Sequence, residues 1–438
     1  MALNIAFPDQ SPAMEISAGH LSIPPFNIKG QARPAKVSAA GNVYRGEFIK
    51  IVHELERVEE LRFALEGVSI LDTASLGGGR VGVVFTREGS TWFKIVKHDG
   101  ELMLGNTLQL ADEPLERAVV VGLSDTLAAV LYNADAAGQV AAVKLADRAA
   151  ELAYTDVWDV EDPTNITAAA LDGSRILAGG VRQPEGKAHY TAITLGATAA
   201  TVAGDCPLAA EYDDDEYARG WALTALGDNV AVASYFKAHN EPVGLAVLDV
   251  PQGGPAVRWT GKCIYLGSLP CVSLTSLGSG LFAAVNGLAR VDATGKVVKT
   301  ALACEIWRAT EFGALPCWYA AEGTDYDVNV GLASVFATKE GLTLSYSADG
   351  VAKSMLVDLS ARGPEGGPSV GHGSFDNYCR TVPINNTYAV LVTQRDGNGY
   401  AAVMRRVETV ISAEGEADGV AKTGGGPGQT ITIVTDAQ

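Results

Sequence analysis

Apolar and polar positions alternate in short stretches over most of the chain, and the same arrangement returns at intervals of roughly 50 residues. Each repeat opens on an apolar residue at a turn, continues as a short apolar stretch, passes a polar tip and ends in a second apolar stretch. The seven openings are Leu76, Leu123, Leu171, Leu226, Leu277, Phe336 and Ile384. Repeats of this length made only of short strands are typical of a β-propeller, so the pattern predicts an all-β chain with seven blades.

The repeats carry no fixed Trp-Asp or double-glycine motif, so six or eight blades also fit the spacing. A four-stranded sheet has two apolar faces, and stacking such sheets in a closed ring buries both faces and removes the free end. Gly, Ala and Val crowd the first stretch of each repeat. Because space is smallest near the axis, we expect this stretch to be the innermost strand of its blade.

The two ends of the chain do not continue the repeat. Residues 1–30 mix prolines with apolar residues, which predicts an extended N-terminal arm that lies on a neighbouring subunit; a disordered terminus is the alternative. Residues 31–60 and 408–438 contain short alternating stretches but too little apolar surface to fold separately. We expect these two segments to form one small β-barrel or sandwich, an anchoring domain into which a propeller at residues 61–407 is inserted.

The same end segments carry a resemblance. ARPAKVSAAGNVYRGEFIKIV near the start and DGVAKTGGGPGQTITIV near the end resemble the small β-domains of tailed-bacteriophage virion proteins, found in capsid-decoration, head-fibre and tail-appendage proteins. The resemblance covers only the ends of the chain and rests most on residues 419–434. It implies a non-enzymatic virion protein for capsid decoration, the collar or a tail fibre, with the propeller displayed for host attachment.

Partners follow from this resemblance. It implies contacts with other virion proteins and sister subunits through the arm and the anchoring domain, a homo-oligomer, and host-surface glycan as a ligand of the propeller. The expected location is the virion surface, after assembly in the host cytoplasm. Two alternatives stay open: a glycan-active propeller hydrolase of the sialidase type, and a free carbohydrate-binding or scaffold propeller. Residues 86–92 resemble the Asp-box turn of sialidase-type propellers, with Glu88 in place of the aspartate.

The net charge of −18 argues against a nucleic-acid partner, because a polyanion would be repelled. The sequence has no continuous apolar run of about 18 residues, and its start lacks the basic and apolar regions of a secretory signal, so neither a membrane span nor a leader is expected. The six cysteines lack metal-binding spacing, and we expect buried free thiols rather than disulfides.

No catalytic, cofactor or metal residue is predicted. The glycine-rich residues 423–430 lack the lysine of a phosphate loop, and a strand is expected to follow them. Residues 325–331 begin like a calcium loop, but their glycine comes late and no glutamate closes the loop, so a strand with a polar face is the better interpretation. No two histidines have metal-binding spacing. The Gly- and Pro-rich residues 362–373 are expected to be a flexible connector.

Aromatic and acidic side chains gather in two loop-like stretches. The acidic residues 211–217 are expected to form a solvated loop or, alternatively, a lip that binds a cation or carbohydrate. In the stretch between the fifth and sixth repeats, Trp307 and Trp318 either fill core between blades or belong to a binding face. The predicted ligand-binding surface comprises Tyr212, Asp213, Asp214, Asp215, Tyr217, Trp318, Tyr319 and Tyr326.

Overall fold

A computed structural model describes residues 16–17, 20–21 and 30–436, except 135–136, 162–163, 183–186, 212–221, 228, 236–243, 263–271, 292–296, 323–333, 340, 349, 361–362 and 414–416. Within these residues no helix is long and apolar enough to cross a membrane. The chain divides into two compact units. The terminal unit comprises Met1–Glu54, Gly367–Val370 and Val407–Gln438, and the propeller unit comprises Leu55–Gly366 and Gly371–Arg406.

The strands before the blades are β1, Ile16–Ser17; β2, His20–Leu21; β3, Gly30–Lys36; and β4, Phe48–Ala64. Blade 1 comprises β5, Ser69–Gly77; β6, Arg80–Arg87; β7, Ser90–His98; and β8, Leu102–Ala111. Blade 2 comprises β9, Ala118–Ser124; β10, Leu127–Ala134; β11, Ala137–Ala146; and β12, Ala149–Glu161. Blade 3 comprises β13, Thr164–Ala170; β14, Arg175–Arg182; β15, Lys187–Leu195; and β16, Ala200–Glu211.

Blade 4 comprises β17, Leu223–Gly227; β18, Val230–Tyr235; β19, Gly244–Asp249; and β20, Ala256–Lys262. Blade 5 comprises β21, Val272–Gly278; β22, Leu281–Val291; β23, Val297–Thr310; and β24, Gly313–Glu322. Blade 6 comprises β25, Ser334–Thr338; β26, Gly341–Ala348; β27, Val351–Ser360; β28, Gly363–Gly366; and β29, Val370–Ser374, which pairs with β27. The last strands are β30, Cys379–Pro383; β31, Tyr388–Arg395; β32, Asn398–Ser412; β33, Gly419–Ala421; and β34, Thr430–Asp436.

The propeller unit is an all-β propeller. Each of blades 1 to 6 is an antiparallel sheet whose strands pair in chain order. Six blades are thus separate sheets in the described part of the chain, one fewer than the seven that the repeats predict. The seventh opening, Ile384, falls between β30 and β31, which belong to a longer sheet with the order β3–β34–β33–β4–β32–β31–β30.

The first strands of successive blades contact one another from β5 through β9, β13, β17 and β21 to β25. At Gly122 of β9 this approach is so close that an added Cβ atom would lie 2.3 Å from the carbonyl oxygen of Ser75 on β5. Between each pair of consecutive blades from 1 to 6 lies an apolar cluster, so that blades 2 to 5 are covered on both faces. The core of the unit is therefore distributed around the ring rather than collected at one place.

The stretches rich in Gly, Ala and Val are the second strands of the blades, so the expectation that they lie innermost was wrong. In β6, β10 and β14 at least five consecutive residues are buried, whereas the first strand β5 mixes buried and exposed positions. The physical reason is that a second strand is paired along both edges and packed on both faces. It therefore requires small or apolar side chains at every position, not only at alternate ones.

In the terminal unit, strands from the two ends of the chain pair with each other. β3 pairs along its whole length with β34, β33 pairs with β4, and Val43 and Gly425 exchange backbone hydrogen bonds of 3.0 and 2.8 Å. A buried apolar cluster that includes Ile49, Val410 and Ile433 fills this unit. The strands expected near residues 48 and 430 are confirmed as β4 and β34.

The expected connector at residues 362–373 was wrong, because its described part contains β28 and β29. His372 on β29 is buried, and its Nε2 atom lies 2.6 Å from the hydroxyl oxygen of Ser354 on β27. Glycine and proline weaken the interior of a sheet but are tolerated in short strands at its edge.

The expectation of buried free thiols is confirmed for Cys206, Cys304 and Cys379. It was wrong for Cys317, a free but exposed thiol on β24, the outermost strand of blade 5, where one face meets solvent. Cys263 and Cys271 lie outside the described residues.

Candidate functional site

Most of the ligand-binding surface predicted from sequence lies outside the described residues: Tyr212, Asp213, Asp214, Asp215, Tyr217 and Tyr326. Trp318 and Tyr319 are backbone members of β24, paired with Ile306 and Glu305, and their side chains are outside the described part. The calcium-like residues 325–331 are also outside it. The described residues therefore do not test the predicted surface, which stays a prediction.

Trp307 is described, and it belongs to the core. Its side chain is 3% exposed in the apolar cluster between blades 4 and 5, and its indole N–H donates a hydrogen bond of 2.8 Å to Oε2 of Glu305. The interpretation of Trp307 as core is therefore confirmed, and the binding-face alternative is wrong for this residue.

A pocket opens where the first and second strands of blades 5 and 6, and of β30 and β31, are joined by turns. We call it the turn-face pocket. It consists of two adjoining cavities of about 420 and 440 Å³ that share Lys339, Asn385 and Asn386. Each cavity lies in the usual size range of small-molecule sites. Residues at the margins include Ser276, Leu277, Thr338, Ile384, Thr387 and Tyr388.

The turn after β30 holds Asn385 in a defined orientation. The backbone N–H groups of Ile384 and Asn385 donate to the carbonyl oxygen of Tyr388, at 3.0 and 3.2 Å. In return, Oδ1 of Asn385 accepts hydrogen bonds of 2.8 and 2.9 Å from the N–H groups of Thr387 and Tyr388. Asparagine is favoured in such turns because its short amide satisfies nearby backbone groups. The side-chain oxygen of Asn385 is thus used within the turn.

Asn386 connects this turn to blade 6. Its Oδ1 accepts a hydrogen bond of 3.3 Å from the backbone N–H of Lys339, which follows β25. On the other side of the turn, the ring of Tyr388 lies 4.5 Å from the ring of His98 at the end of β7, measured between centroids. The turn is therefore held by polar contact towards blade 6 and by ring contact towards blade 1.

Sequence reasoning missed this pocket because its residues come from turns far apart along the chain. A signal was nevertheless present: of the seven repeat openings, only Phe336 and Ile384 depart from leucine. The residues that follow these two openings supply Lys339, Asn385 and Asn386 to the pocket.

A largely buried polar network links the innermost strands. The guanidinium of Arg380 on β30 donates to Oδ1 of Asp72 and, at 3.1 Å, to the carbonyl oxygen of Thr73, both on β5. Oδ2 of Asp72 accepts a hydrogen bond of 2.8 Å from the N–H of Val120 on β9, and the hydroxyls of Thr73 and Tyr378 lie 2.8 Å apart. Because every carboxylate oxygen of Asp72 is engaged, the network is suited to holding strands together rather than to acid–base chemistry.

The Ser354–His372 pair also has a structural geometry. Burial, followed by the nearby Arg57 guanidinium, lowers the pKa of His372 to about 4, so its ring is neutral at physiological pH. A neutral histidine beside a serine is the arrangement of a nucleophile and its base. However, Ser354 is 1% exposed, and no substrate can reach its hydroxyl. The pair therefore joins β27 to β29.

A second cavity, of about 550 Å³, lies between blades 2 and 3. Alanine is the commonest residue in its wall, and Lys144 and Glu151 are among the other lining residues. The hydroxyl of Tyr154 donates to the carbonyl oxygen of Gly196 at 3.1 Å. Because the wall contains both a positive and a negative side chain, the described polar groups of this cavity do not favour a ligand of either charge. The turn-face pocket is the stronger candidate site.

No protein-family model matches the chain, and a search among curated proteins finds no match. The WD40 domain of coronin from Toxoplasma gondii is similar in structure, with 9% identity, a TM-score of 0.47, and coverage of 86% of this chain and 90% of that chain. A protein from Lactobacillus plantarum has 12% identity, a TM-score of 0.47, and coverage of 78% and 100%. A β-propeller domain from Myceliophteria thermophila has 9% identity, a TM-score of 0.46, and coverage of 80% and 99%.

Proposed function

We propose that the protein is a non-enzymatic structural protein on the surface of a tailed-phage virion, for capsid decoration, the collar or a tail fibre. The terminal unit is the anchor, and the propeller unit is displayed outward. The observation that supports this proposal most is the surface of the terminal unit, where Tyr44 is 52% and Phe48 is 53% exposed. Exposed aromatic side chains close together in sequence are typical of protein–protein contact sites.

An edge strand gives the anchor a second means of contact. β3 is the outer strand of the sheet in the described part of the chain, with β34 on its inner side. Directly after β3 this side of the chain is already paired, because Val37 forms a β-bridge with Val410 of β32. The remaining open part of the edge can accept a further strand through backbone hydrogen bonds. Pro34 has no N–H, so strand addition is best suited to the residues that precede it. Sister subunits and other virion proteins are the partners in this proposal.

The proposed ring has seven blades, and the seventh consists of β30, β31, β32 and the second half of β4. β30 contacts β25 of blade 6 and β5 of blade 1. One apolar cluster packs Leu55 and Leu391 against Leu356 of blade 6, and another packs Phe63 and Val390 against blade 1. A strand from the start of the chain that completes the last sheet leaves the ring without a free end.

The alternative of a glycan-active hydrolase requires two carboxylates about 5–10 Å apart at one site. Among the described residues that line the turn-face pocket there is no carboxylate, and Lys339 is the one charged group. This composition favours binding over hydrolysis at that pocket.

The test of the anchor is incorporation into particles. Tyr44→Ser combined with Phe48→Ser should lower the amount of protein that co-purifies with phage particles at least about tenfold, which corresponds to roughly 1.4 kcal/mol of contact free energy. Quantitative mass spectrometry of gradient-purified particles measures it. Val157→Ser, at a residue of the propeller unit that is 51% exposed, is the matched control and should be incorporated normally. Normal incorporation of the double variant, or absence of the wild type from particles, would overturn the proposal.

A further inference from the structure

We propose that the turn-face pocket binds an acidic monosaccharide, such as a hexuronic acid, through its carboxylate. This proposal rests on and deepens the proposed display role, for which the resemblance implies host-surface glycan as a ligand, but its evidence is the pocket itself. Three properties of the pocket support this ligand: the hydrogen-bonding groups that remain available, the local charge and the apolar margin.

The side chains of Lys339, Asn385 and Asn386 offer more hydrogen-bond donors than acceptors. Both lone pairs of the Asn385 side-chain oxygen are occupied by the backbone N–H groups of Thr387 and Tyr388, so the capacity that remains is the two N–H donors of Nδ2. Oδ1 of Asn386 accepts one hydrogen bond, from the backbone N–H of Lys339, so one lone pair and the two N–H donors of its NH₂ group remain. The ammonium of Lys339 adds three donors and no acceptor. Two amides and one ammonium therefore face a ligand that accepts hydrogen bonds.

The charge of the pocket selects an anion. Lys339 is exposed and is the one charged group among the described lining residues, in a protein whose net charge is −18. A positive charge at one point of an acidic protein attracts an anion to that point, although the net negative charge of the protein repels polyanions. One ammonium and two neutral amides match a singly charged carboxylate. A phosphate dianion is more commonly bound by several cationic groups or by the forked guanidinium of arginine.

The margin of the pocket suits a sugar ring. Leu277 and Ile384 are half-buried beside the polar groups, and the half-buried ring of Tyr388 lies at one end. A monosaccharide has both hydroxyl groups, which accept hydrogen bonds, and an apolar face of C–H groups that packs on aromatic and aliphatic side chains. Each cavity, at about 420 or 440 Å³, has room for such a ring.

Titration calorimetry of the purified full chain tests the proposal with defined probes. Glucuronate should bind at least about tenfold more tightly than methyl glucoside, which has the same ring without the charge, because a charge-assisted hydrogen bond contributes roughly 1.5–3 kcal/mol. Inorganic phosphate and acetate are the further arms. Phosphate binding without glucuronate binding would overturn the sugar assignment, and acetate binding as tight as glucuronate would overturn the role of the ring.

Three variants locate the binding. Lys339→Gln should weaken glucuronate at least about tenfold. Asn385→Asp keeps the acceptor oxygen that the turn requires but replaces the NH₂ donor with a second negative oxygen, so the fold should persist while glucuronate binding is lost. Lys144→Gln, in the wall of the other cavity, is the matched control. Unchanged affinity in Lys339→Gln, or no glucuronate binding up to about 10 mM, would overturn the proposal.

Failure of this proposal is distinguishable from failure of the anchor. Lys339→Gln should enter particles as the wild type does, because Lys339 lies in the propeller unit and not on the proposed contact surface of the terminal unit. Loss of glucuronate binding with normal incorporation supports both proposals. If the wild type binds glucuronate but is not incorporated into particles, the ligand assignment is supported and the virion role is rejected.

Discussion

Two junctions within the propeller unit are built from different interactions. Between blades 2 and 3, Leu131, Trp158 and Ile176 are fully buried in an apolar cluster. Where β30 meets β5, an apolar cluster is supplemented by the ion pair of Arg380 and Asp72. The first junction joins strands that are close along the chain, whereas this ion pair joins residues 308 positions apart.

The difference shows what each kind of contact contributes. Apolar burial is strong but non-directional, and chain connectivity already brings blades 2 and 3 together in register. Strands from opposite ends of the chain have no such constraint, and directional hydrogen bonds to Asp72 and Thr73 admit only one alignment. We therefore interpret the apolar junction as a source of stability and the polar junction as a source of register. Three measurements test this division.

The largest effect is expected at the apolar junction. Leu131→Ala should lower the free energy of unfolding by about 3–5 kcal/mol, because it removes buried methyl groups and leaves a cavity in a tightly packed region. Urea denaturation monitored by tryptophan fluorescence measures it. Leu65→Ala, at a side chain that is 45% exposed, is the matched control and should cost well under half as much. Equal losses in the two variants would contradict the importance of this cluster.

A smaller loss is expected at the polar junction. Asp72→Asn should lower the free energy of unfolding by about 2–3 kcal/mol, since the Arg380 guanidinium would lose its charged partner in a largely buried place. The double variant Asp72→Asn with Arg380→Met should lose less than the sum of the single variants, because no charge is then left unpaired. A double-mutant cycle by urea denaturation gives the coupling energy, and strict additivity would refute direct pairing.

The smallest effect concerns pH. Burial lowers the pKa of His372 to about 4 in the folded chain. In the unfolded chain the same imidazole is protonated near pH 6.5, so between these two pH values only the unfolded chain binds this proton. Stability is therefore complete above pH 6.5 and should fall by about 1–2 kcal/mol as the pH drops to 5. His372→Gln should flatten this slope. Thermal unfolding at half-unit pH steps compares the two proteins, and parallel curves would mean that His372 does not titrate as inferred.

The propeller architecture could be predicted because it depends on a repeating apolar pattern, which is local information. The position of each strand within its blade could not be predicted. The repeat has the same period whichever of the four strands is taken as the first, so the period does not show which strand is innermost. The burial of His372 was not predicted from the sequence either, since it lies in the stretch that was expected to be a connector. Its burial depends on Ser354 and Arg57, which the sequence places far apart, while its flanking glycines are typical of loops.

Sites are harder to predict than strands. The pocket takes Ser276 from the end of β21 and Lys339 and Asn385 from two turns, and only the arrangement of the blades makes them neighbours. Composition directed attention instead to the acidic residues 211–217, where many polar side chains stand together in sequence. Proximity along the chain is a poor guide in a propeller, because each binding face collects single turns from several repeats.

The pairing of β4 with β32 has a consequence for the order of events during synthesis. β4 ends at Ala64 and its partner β32 begins at Asn398, so this edge of β4 stays unpaired until all the intervening strands have been translated. An unpaired strand that waits in a crowded cell is open to exchange with a second nascent copy. In such an exchange, β4 of each molecule would complete the sheet of the other. This domain swapping would produce a dimer.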